Sequence, residues 1–544
     1  MGHGAARPVP SGKRRCLLLG LDGATFDVLD PLIRDGVMPF LGRFLDGGAR
    51  APLRSVAPPL TFPAWTSLAT GQPPGRHGVL DFNTFESPSS LFLRFAMPRD
   101  IACETIWSML SRQRRRVACL NFPLMLPPHS VNGCVIPGWL PQRWLPRACH
   151  PPGLYERLEK DLGLRLDALA MRPEEEVKAI EGCQNEDYED WVRFHIEREE
   201  QWFLVLSRLL ADEPFDLAAV VFDGIDKIQH LCWRFIDPAG AAQSPSPLFL
   251  AVRDLCLQYF GRLDRCLEAL VEQAGPETTV LMASDHGFGP TDTVFSVNVW
   301  LERNGHLAWR DGADAEEPAD SPRISRPSRR IIRQLDRART RACALTPSAN
   351  AIFLLVDGQR GPGGLSPAEY EPFRRRLTQD LLAIRNPATG EPLVRRVLTR
   401  EEAFAGPFLH KAPDLTLELQ DYGLFSVARN PEPIARRKEI MGCHRPLGVF
   451  AARGPGIQAG LRLEARSIMD VAPTILYALG LPIPDDLEGR LIEEMHRTEW
   501  LKAHAAARCD PSPPSGAVGE PSVEMDDEDQ EQIAARLRAL GYME

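Results

Sequence analysis

Short runs of apolar residues, each closed by glycine or a polar turn, recur along the chain and alternate with longer amphipathic stretches. A short apolar run that ends at a turn is typical of a buried strand, and apolar residues spaced three and four apart are typical of a helix. The strands predicted in this way are 16–21, 116–121, 216–223, 278–284, 351–356, 414–419 and 447–457. The predicted helices are 39–45, 64–70, 174–210, 249–273 and 470–480. The alternation predicts an α/β fold with a mostly parallel central sheet flanked by helices.

Side chains that bind metal ions stand where several of these strands begin or end. They are Asp22, Asp226 with His230, Asp285 with His286, and His444. The carboxyl ends of strands are the ligand-binding edge of a parallel α/β sheet, and carboxylates combined with imidazoles suit zinc or manganese. Taken singly, Asp22 also fits a helix cap and His444 a turn. Their joint occurrence at strand-to-helix junctions favours a metal site.

Thr61 lies on the loop that enters a predicted helix. Prolines at positions 58, 59 and 63 exclude a regular helix before Ala64, whereas the following residues are free to form one. A residue at such an entrance faces free backbone N–H groups and the positive end of the helix dipole. The position therefore suits contact with an anionic group.

Five motifs follow one another in a specific order. They are Leu19-Gly20-Leu21-Asp22-Gly23; the stretch 60–71 with Pro74-Gly75-Arg76-His77-Gly78; Asp226-x-x-x-His230; Ser284-Asp285-His286-Gly287; and Gly442-Cys443-His444 before 448–457. The set resembles the alkaline phosphatase superfamily and is most similar to its type I phosphodiesterase/nucleotide pyrophosphatase branch. The similarity is discontinuous and extends from about residue 16 to residue 489. It implies an alkaline phosphatase-like fold with inserted cap segments.

The resemblance also implies two divalent ions, usually Zn²⁺, with Mn²⁺ as the alternative. One ion would take Asp226, His230 and His444, and the other would take Asp22, Asp285, His286 and the Thr61 oxygen. Two such ions stabilise the attacking and leaving oxygens of an in-line phosphoryl transfer. Thr61 would attack phosphorus and form a phosphothreonine, which water then hydrolyses. The expected activity is hydrolysis of phosphoesters, with diesters favoured over monoesters.

Some positions depart from the pattern of this branch or leave alternatives open. The branch commonly has an asparagine where this chain has Phe82, so Asn83, one residue later, is the candidate donor to a phosphate oxygen. Thr66 is the alternative nucleophile. A phosphomutase or phosphotransferase uses similar metal chemistry, whereas a sulfatase would need a Cys or Ser before Pro-x-Arg. A non-catalytic binding module on the same fold is the alternative from a different class.

Composition and charge narrow the partners. The 544-residue chain carries a formal charge of −10 and has a sequence pI near 5.8, which argues against binding to duplex nucleic acid or anionic membranes. The expected partner is a small phosphorylated substrate; the sequence does not specify an oligomeric state. No apolar run approaches the ~20 residues of a membrane span, and the twelve cysteines are scattered as in proteins with reduced thiols. A cytoplasmic location is expected.

The predicted organisation is one large unit with additions. Residues 1–505 are assigned to the catalytic domain, with insertions at about 82–214 and 311–341. Residues 506–544 are assigned to an acidic linker followed by a short C-terminal helix, because the linker has too few apolar residues to pack.

Overall fold

A mostly parallel sheet lies at the centre of the computed structural model, which describes residues 13–126, 131–163, 166–170, 185–237, 246–310 and 327–513. The strands are β1 (Arg15–Leu21), β2 (Ala49–Arg54), β3 (Asn83–Phe85), β4 (Leu93–Phe95), β5 (Val117–Leu120), β6 (Gly133–Ile136), β7 (Leu217–Phe222), β8 (Thr278–Ala283), β9 (Gly287–Ser296), β10 (Ala342–Cys343), β11 (Ala351–Leu354), β12 (Val394–Thr399), β13 (Leu415–Leu419), β14 (Leu424–Ser426), β15 (Ile434–Arg445), β16 (Leu447–Arg453), β17 (Leu461–Arg462), β18 (Arg466–Ser467), β19 (Ile483–Pro484) and β20 (Arg508–Cys509).

Helices separate most of these strands along the chain. They are α1 (Phe26–Arg34), α2 (Pro39–Asp46), α3 (Thr61–Thr70), α4 (Pro74–His77), α5 (Ile106–Arg112), α6 (Leu145–Ala148), α7 (Leu154–Leu162), α8 (Asn185–Asp212), α9 (Gly224–Ile236), α10 (Pro247–Ala274), α11 (Val297–Arg303), α12 (Pro327–Gln334), α13 (Pro367–Leu382), α14 (Arg400–Ala403), α15 (Val471–Ala478) and α16 (Thr498–Ala503). Among the described helices, none has both the length and the apolar character needed to cross a bilayer.

The central sheet has the strand order β17-β2-β16-β8-β1-β7-β5-β6, with β18 also paired to β2. Neighbouring strands from β8 through β1, β7 and β5 to β6 run parallel, and β16 is antiparallel to both β8 and β2. The register pairs Leu18 with Ala219 on one side and with Leu281 on the other. This sheet confirms the predicted α/β class.

Both faces of the sheet are covered by helices, which explains why β5, β7 and β8 are buried at every position. Leu17 and Leu19 of β1 join a core formed with α1, α2, α8 and α10. Cys16 and Leu18, which point to the opposite face, join a core formed with α3, α5 and α15. The carboxyl ends of the parallel strands are left as the edge at which side chains can meet.

A separate apolar core, the third in the molecule as described, lies outside the central sheet. The antiparallel sheet β10-β11-β13-β12 packs with α11, α12 and α13, and its buried residues include Leu301, Leu354, Phe373 and Leu377. A further sheet, β14-β9-β15, is continuous in sequence with the central sheet, because β9 follows β8 and β15 precedes β16. We call the residues of the core around the β10-β11-β13-β12 sheet, with their loops, the cap.

The predicted boundaries differ in detail from these elements. Residues 82–214 contribute β5 and β6 to the central sheet, so this part of the predicted insertion belongs to the main core. The interval 311–341 lies partly outside the described residues, and its described part contains α12. Of the predicted tail, residues 514–544 lie outside the described residues, and β20 pairs with β19.

A buried glutamate attaches α8 to the start of α9. Glu199 Oε1 accepts hydrogen bonds from Gly224 N at 2.5 Å and from the Tyr259 hydroxyl at 3.1 Å. Burial, together with the negative charge of Asp223, raises the pKa of Glu199 to about 8. Glu199 therefore orients the N-terminus of the helix that carries Asp226.

We expect the unfolding free energy to fall as pH rises from about 4.5 to about 8, because folded Glu199 retains a proton that its unfolded form loses near pH 4.5. Glu199→Gln should weaken this pH dependence, as measured by urea unfolding at pH 5, 6, 7 and 8. The matched control is Glu200→Gln, which removes a partly exposed carboxylate paired with Arg262. An identical slope in Glu199→Gln and the wild type would contradict the assignment.

Candidate metal centre

Asp22 is placed by the end of β1 and by a glycine that follows it. Asp22 Oδ2 accepts a hydrogen bond from Trp65 Nε1 at 3.2 Å, and Gly23 N donates to Asp285 Oδ1 at 3.0 Å. Gly23 has a φ of +68°, and a Cβ there would lie 3.2 Å from the Asp226 Cα. Glycine thus allows three chain segments to approach one another closely.

Thr61 is the first residue of α3, so the helix begins three residues before the predicted start at Ala64. Pro63 lies in the first turn, where a helix does not need its missing backbone N–H. Its side chain is fully buried, and Thr61 Oγ1 lies 3.4 Å from His286 Nε2. The alternative, Thr66, uses its hydroxyl within the helix, where it donates to the Phe62 carbonyl at 2.7 Å. The structure therefore brings Thr61, and not the Thr66 hydroxyl, into contact with the histidine.

Asp226 and His230 lie one turn apart on α9, and β15 brings His444 to them. His444 Nε2 lies 3.2 Å from Asp226 Oδ1 and 3.2 Å from His230 Nε2. His230 Nε2 lies 3.4 Å from the same Asp226 oxygen. The helical spacing thus has the predicted effect, since both side chains of α9 face the same point.

His286 occupies the middle of the cluster. Its Nε2 lies 3.2 Å from Asp285 Oδ2, 3.7 Å from Asp22 Oδ1 and 3.9 Å from Asp226 Oδ1. Its ring stacks on His444 with a centroid separation of 3.5 Å. Two groups with the geometry to hold an ion therefore share this histidine: Asp226, His286 and His444, and Asp22, Asp285 and His286.

The two groups observed in the structure differ in one respect from the two ligand sets that the sequence resemblance implies. The structure brings all seven predicted side chains together, with His230 against the first group and Thr61 against His286. The sequence resemblance assigns His286 to one ion only, whereas its Nε2 reaches carboxylates of both groups. The registers of β9 and β15, which pair Phe288 with His444, produce this arrangement.

The histidine hydrogen bonds fit metal ligation. His444 Nδ1 donates to the Pro59 carbonyl at 2.8 Å, and His286 Nδ1 donates to the Gly287 carbonyl at 3.2 Å. Each bond assigns the proton to Nδ1 and leaves the Nε2 lone pair directed at the carboxylates, as in histidine ligands of zinc. Burial lowers the pKa of both imidazoles, so both rings are neutral and able to coordinate.

The carboxylates carry an unbalanced negative charge. Asp22 Oδ1 and Asp285 Oδ2 are buried and meet no donor with hydrogen-bonding geometry in the described part of the chain. Burial and the charge of Asp226 raise the pKa of Asp285 to about 8, and burial with the charge of Asp285 raises the pKa of Asp22. Buried carboxylates of this kind are neutralised either by a proton or by a cation. The donor set of aspartate and histidine fits divalent zinc or manganese.

Lys227 is a residue of this site that sequence reasoning missed. Its side chain is 1% exposed, and its Nζ lies 2.8 Å from Asp226 Oδ2 and 4.4 Å from the centroid of the Trp139 ring. Burial would raise the pKa of Asp226, but Lys227 and His230 together hold it well below its usual value. A lysine directly after a predicted ligand was the available signal, and only the fold shows that it turns inward.

Asn83 lies at the start of β3, apart from the contacts among the seven side chains. Its Nδ2 is buried without a hydrogen-bond partner, and the residue lines a small cavity with Asp81 and Lys411. Phe82, at the position where the related branch has asparagine, packs its ring against Phe62 at 4.6 Å. A role of Asn83 in phosphate binding stays a prediction.

Comparisons with known proteins agree with the motif order. The family model for type I phosphodiesterase / nucleotide pyrophosphatase matches residues 16–445. Similar solved structures include murine ectonucleotide pyrophosphatase/phosphodiesterase 5, at 14% identity over 89% of this chain and 100% of that chain, with a TM-score of 0.48. Phosphonoacetate hydrolase from Sinorhizobium meliloti, in complex with phosphonoformate, has 19% identity over 86% of this chain and 95% of that chain, with a TM-score of 0.49. A search of curated proteins found no match.

Replacing one buried carboxylate should reduce metal content. We expect Asp285→Asn to lower the zinc bound per chain and to abolish activity, because an amide oxygen is a weaker ligand than a carboxylate. Elemental analysis of the purified protein measures the bound zinc. Asp264→Asn is the matched control, since Asp264 is also buried but accepts the backbone N–H groups of Phe40 and Leu41. Unchanged zinc occupancy in Asp285→Asn would refute its assignment as a ligand.

Removing the buried ammonium group of Lys227 should destabilise the protein, because the buried carboxylates then repel one another without compensation. Lys227→Met is expected to destabilise the metal-free protein by on the order of 3–5 kcal/mol, because it leaves Asp226 without its cationic partner. Added Zn²⁺ should recover most of the loss, so its stabilising effect should be larger in the variant than in the wild type. Urea unfolding with and without Zn²⁺ measures both quantities. The exposed Lys160, changed to Met, is the control; equal Zn²⁺ stabilisation in all three proteins would contradict the expectation.

Proposed function

Since the chain belongs to the type I phosphodiesterase / nucleotide pyrophosphatase family, whose members hydrolyse phosphoesters, we propose that it cleaves phosphodiesters through the Thr61 nucleophile at a two-ion centre. The observation that carries this proposal is the position of the buried Thr61 hydroxyl, 3.4 Å from His286 Nε2 and at the first residue of α3. The substrate is proposed to be a small phosphorylated molecule.

The ligands of the two ions are proposed from the observed grouping. Asp226, His444 and His230 would hold one ion, Asp22 and Asp285 would hold the other, and His286 is within reach of both. Zinc is favoured because its preferred ligands are imidazole nitrogens and carboxylate oxygens. When bound, the ions supply the positive charge that the transferring phosphoryl group requires.

The chain itself positions the nucleophile. Thr61 lies where the first turn of α3 leaves backbone N–H groups without intrahelical partners and carries the positive end of the helix dipole. In the proposed reaction its oxygen forms a bond to phosphorus as the bond from phosphorus to the leaving oxygen breaks, and the hydroxyl proton is lost while the leaving oxygen gains one. Water then cleaves the phosphothreonine and regenerates the hydroxyl.

The side chains around Thr61 hold its hydroxyl group in one position. Phe62 packs edge-on against both Phe82 and Trp139, at centroid distances of 4.6 and 5.8 Å. The Trp65 indole N–H is used by Asp22. These contacts fix the first turn of α3, so the Thr61 oxygen has little freedom to move away from the cluster.

Thr61→Ala tests the proposed function. We expect turnover of bis(p-nitrophenyl) phosphate to fall by on the order of a thousandfold or more, because the attacking oxygen is removed, while zinc content stays near that of the wild type. Thr66→Ala, which removes only a hydroxyl bonded within the helix, should retain activity and is the matched control.

Two further substrates test whether the enzyme prefers phosphodiesters. The corresponding phosphomonoester should be cleaved more slowly than the diester, and the sulfate ester should not be cleaved. Full diesterase activity in Thr61→Ala would eliminate the assigned nucleophile. Preferential turnover of the sulfate ester by the wild type would eliminate the proposed reaction.

A further inference from the structure

A large cationic cavity lies in the cap, beside the β3-β4 hairpin. Its volume is about 490 Å³, within the range of small-molecule sites. The hairpin contributes Phe85, the cap sheet contributes Phe353, and Glu86 and Asp414 are the carboxylates in its lining. Its cationic side chains, which define what we call the arginine cavity, are Arg94, Arg337, Arg360, Arg400 and Lys411.

Two of these cations are neutralised by carboxylates. Arg94 forms a bidentate pair with Asp100 at 2.7 and 2.6 Å. Arg400 pairs with Asp414, whose oxygens also accept hydrogen bonds from the Tyr370 hydroxyl and the Leu354 backbone N–H. Both arginines therefore hold the cap together and have little charge left for a ligand.

None of the other three cations forms an ion pair with a carboxylate among the described residues, although the charge of Asp414 also acts on Arg360. Arg337 donates to the backbone carbonyl of Arg360, and Arg360 donates to the carbonyl of His410 at 3.1 Å. Lys411 lies 4.8 Å from the centroid of the Phe408 ring. Carbonyls and an aromatic face orient these groups without neutralising them, so the cavity has an excess of positive charge.

Several guanidinium N–H groups at the cavity are also unused. Arg360 Nη1, Arg337 Nε and Arg400 Nε are buried and have no hydrogen-bond acceptor within the ranges that the structure describes. Burial lowers the pKa of Arg360 to about 10, which reports the cost of holding its charge away from water. Buried donors without acceptors are destabilising unless a ligand supplies the acceptor. An anion would satisfy both the charges and the donors.

The walls of the cavity suit an apolar body attached to that anion. The Phe85 ring lies 3.4 Å from the Arg360 guanidinium carbon, and its centroid is 5.4 Å from that of Phe353 in an edge-on arrangement. Leu91, Leu354 and Leu355 complete the apolar lining. Aromatic and aliphatic walls with a few convergent polar groups are typical of sites for small organic ligands.

We propose that the arginine cavity binds an organic phosphate or phosphonate with an aromatic or apolar substituent, as a second site separate from the metal centre. The lining contains more cations than carboxylates, and guanidinium groups bind the oxygens of a phosphoryl group in a bidentate way, so a dianionic phosphoryl group matches the cavity better than a singly charged carboxylate. None of the lining residues belongs to the seven side chains of the metal centre. The proposal does not depend on the proposed catalytic function.

Phenylphosphonate is a suitable probe, because it combines a dianion with an aromatic ring and contains no ester bond to hydrolyse. Isothermal titration of the intact protein should show saturable binding that weakens about tenfold or more in Arg360→Gln and in Lys411→Gln. The matched control is Arg375→Gln, which changes an exposed arginine of the cap helix α13. Asp285→Asn, which alters the metal centre, should retain the binding event that Arg360→Gln weakens.

The outcomes separate the alternatives. Equal affinity in Arg360→Gln, Lys411→Gln and the wild type, or no binding to the wild type, would overturn the proposal. Loss of binding in Asp285→Asn alone would place the probe at the metal centre and would also overturn it. Benzoate binding as tightly as phenylphosphonate would contradict the phosphoryl preference. Thermal unfolding of each variant shows whether the cap is intact, and Arg360→Lys, which retains the charge, should bind more tightly than Arg360→Gln.

Discussion

The burial of three aspartates at one edge of a parallel sheet is the constraint on which the site depends. Asp22, Asp226 and Asp285 are all inaccessible to solvent, and among the described residues only Asp226 has an ammonium partner. Such a concentration of negative charge costs free energy unless cations compensate it. The fold tolerates it because Lys227 neutralises one carboxylate, and protons or the proposed divalent ions would neutralise the others. Folding and proposed metal binding are therefore linked through the same atoms.

The two connected sheets explain how distant segments reach this edge. The β8 strand ends just before Asp285, and the chain continues through His286 into β9, which pairs with β15 and so brings His444 alongside. Close approach is necessary here, since a Cβ at Gly442 would lie 2.2 Å from the Gln229 carbonyl oxygen. The small residue two positions before His444 thus allows β15 to pack on α9, the helix that carries Asp226 and His230.

Negative and positive side chains are concentrated in different parts of the molecule. The acidic metal centre lies at the edge of the central sheet, whereas unneutralised arginines gather in the cap, although the whole chain is acidic. Fixed cations attract a phosphorylated ligand. In the cap, arginine and lysine side chains provide this positive charge. At the metal centre, the proposed divalent ions would have to provide it. The proposed hydrolase site and the arginine cavity therefore recognise related chemical groups by different means.

The sequence alone located five strands of the central sheet, β1, β5, β7, β8 and β16, because strands buried on both faces are mostly apolar. It did not locate β2 and β6, whose apolar runs are shorter. It also placed the candidate ligands near one edge of the sheet, since the carboxyl ends of parallel strands lie on the same side, and the resemblance to the family implied that they form one set. Only tertiary structure decided that His286 reaches both groups of carboxylates, that Lys227 turns inward to Asp226, and that β5 and β6 belong to the main sheet. These features, like a cavity assembled from residues 85 to 414, depend on distances between elements far apart in the chain, which local patterns of apolar and polar residues do not encode.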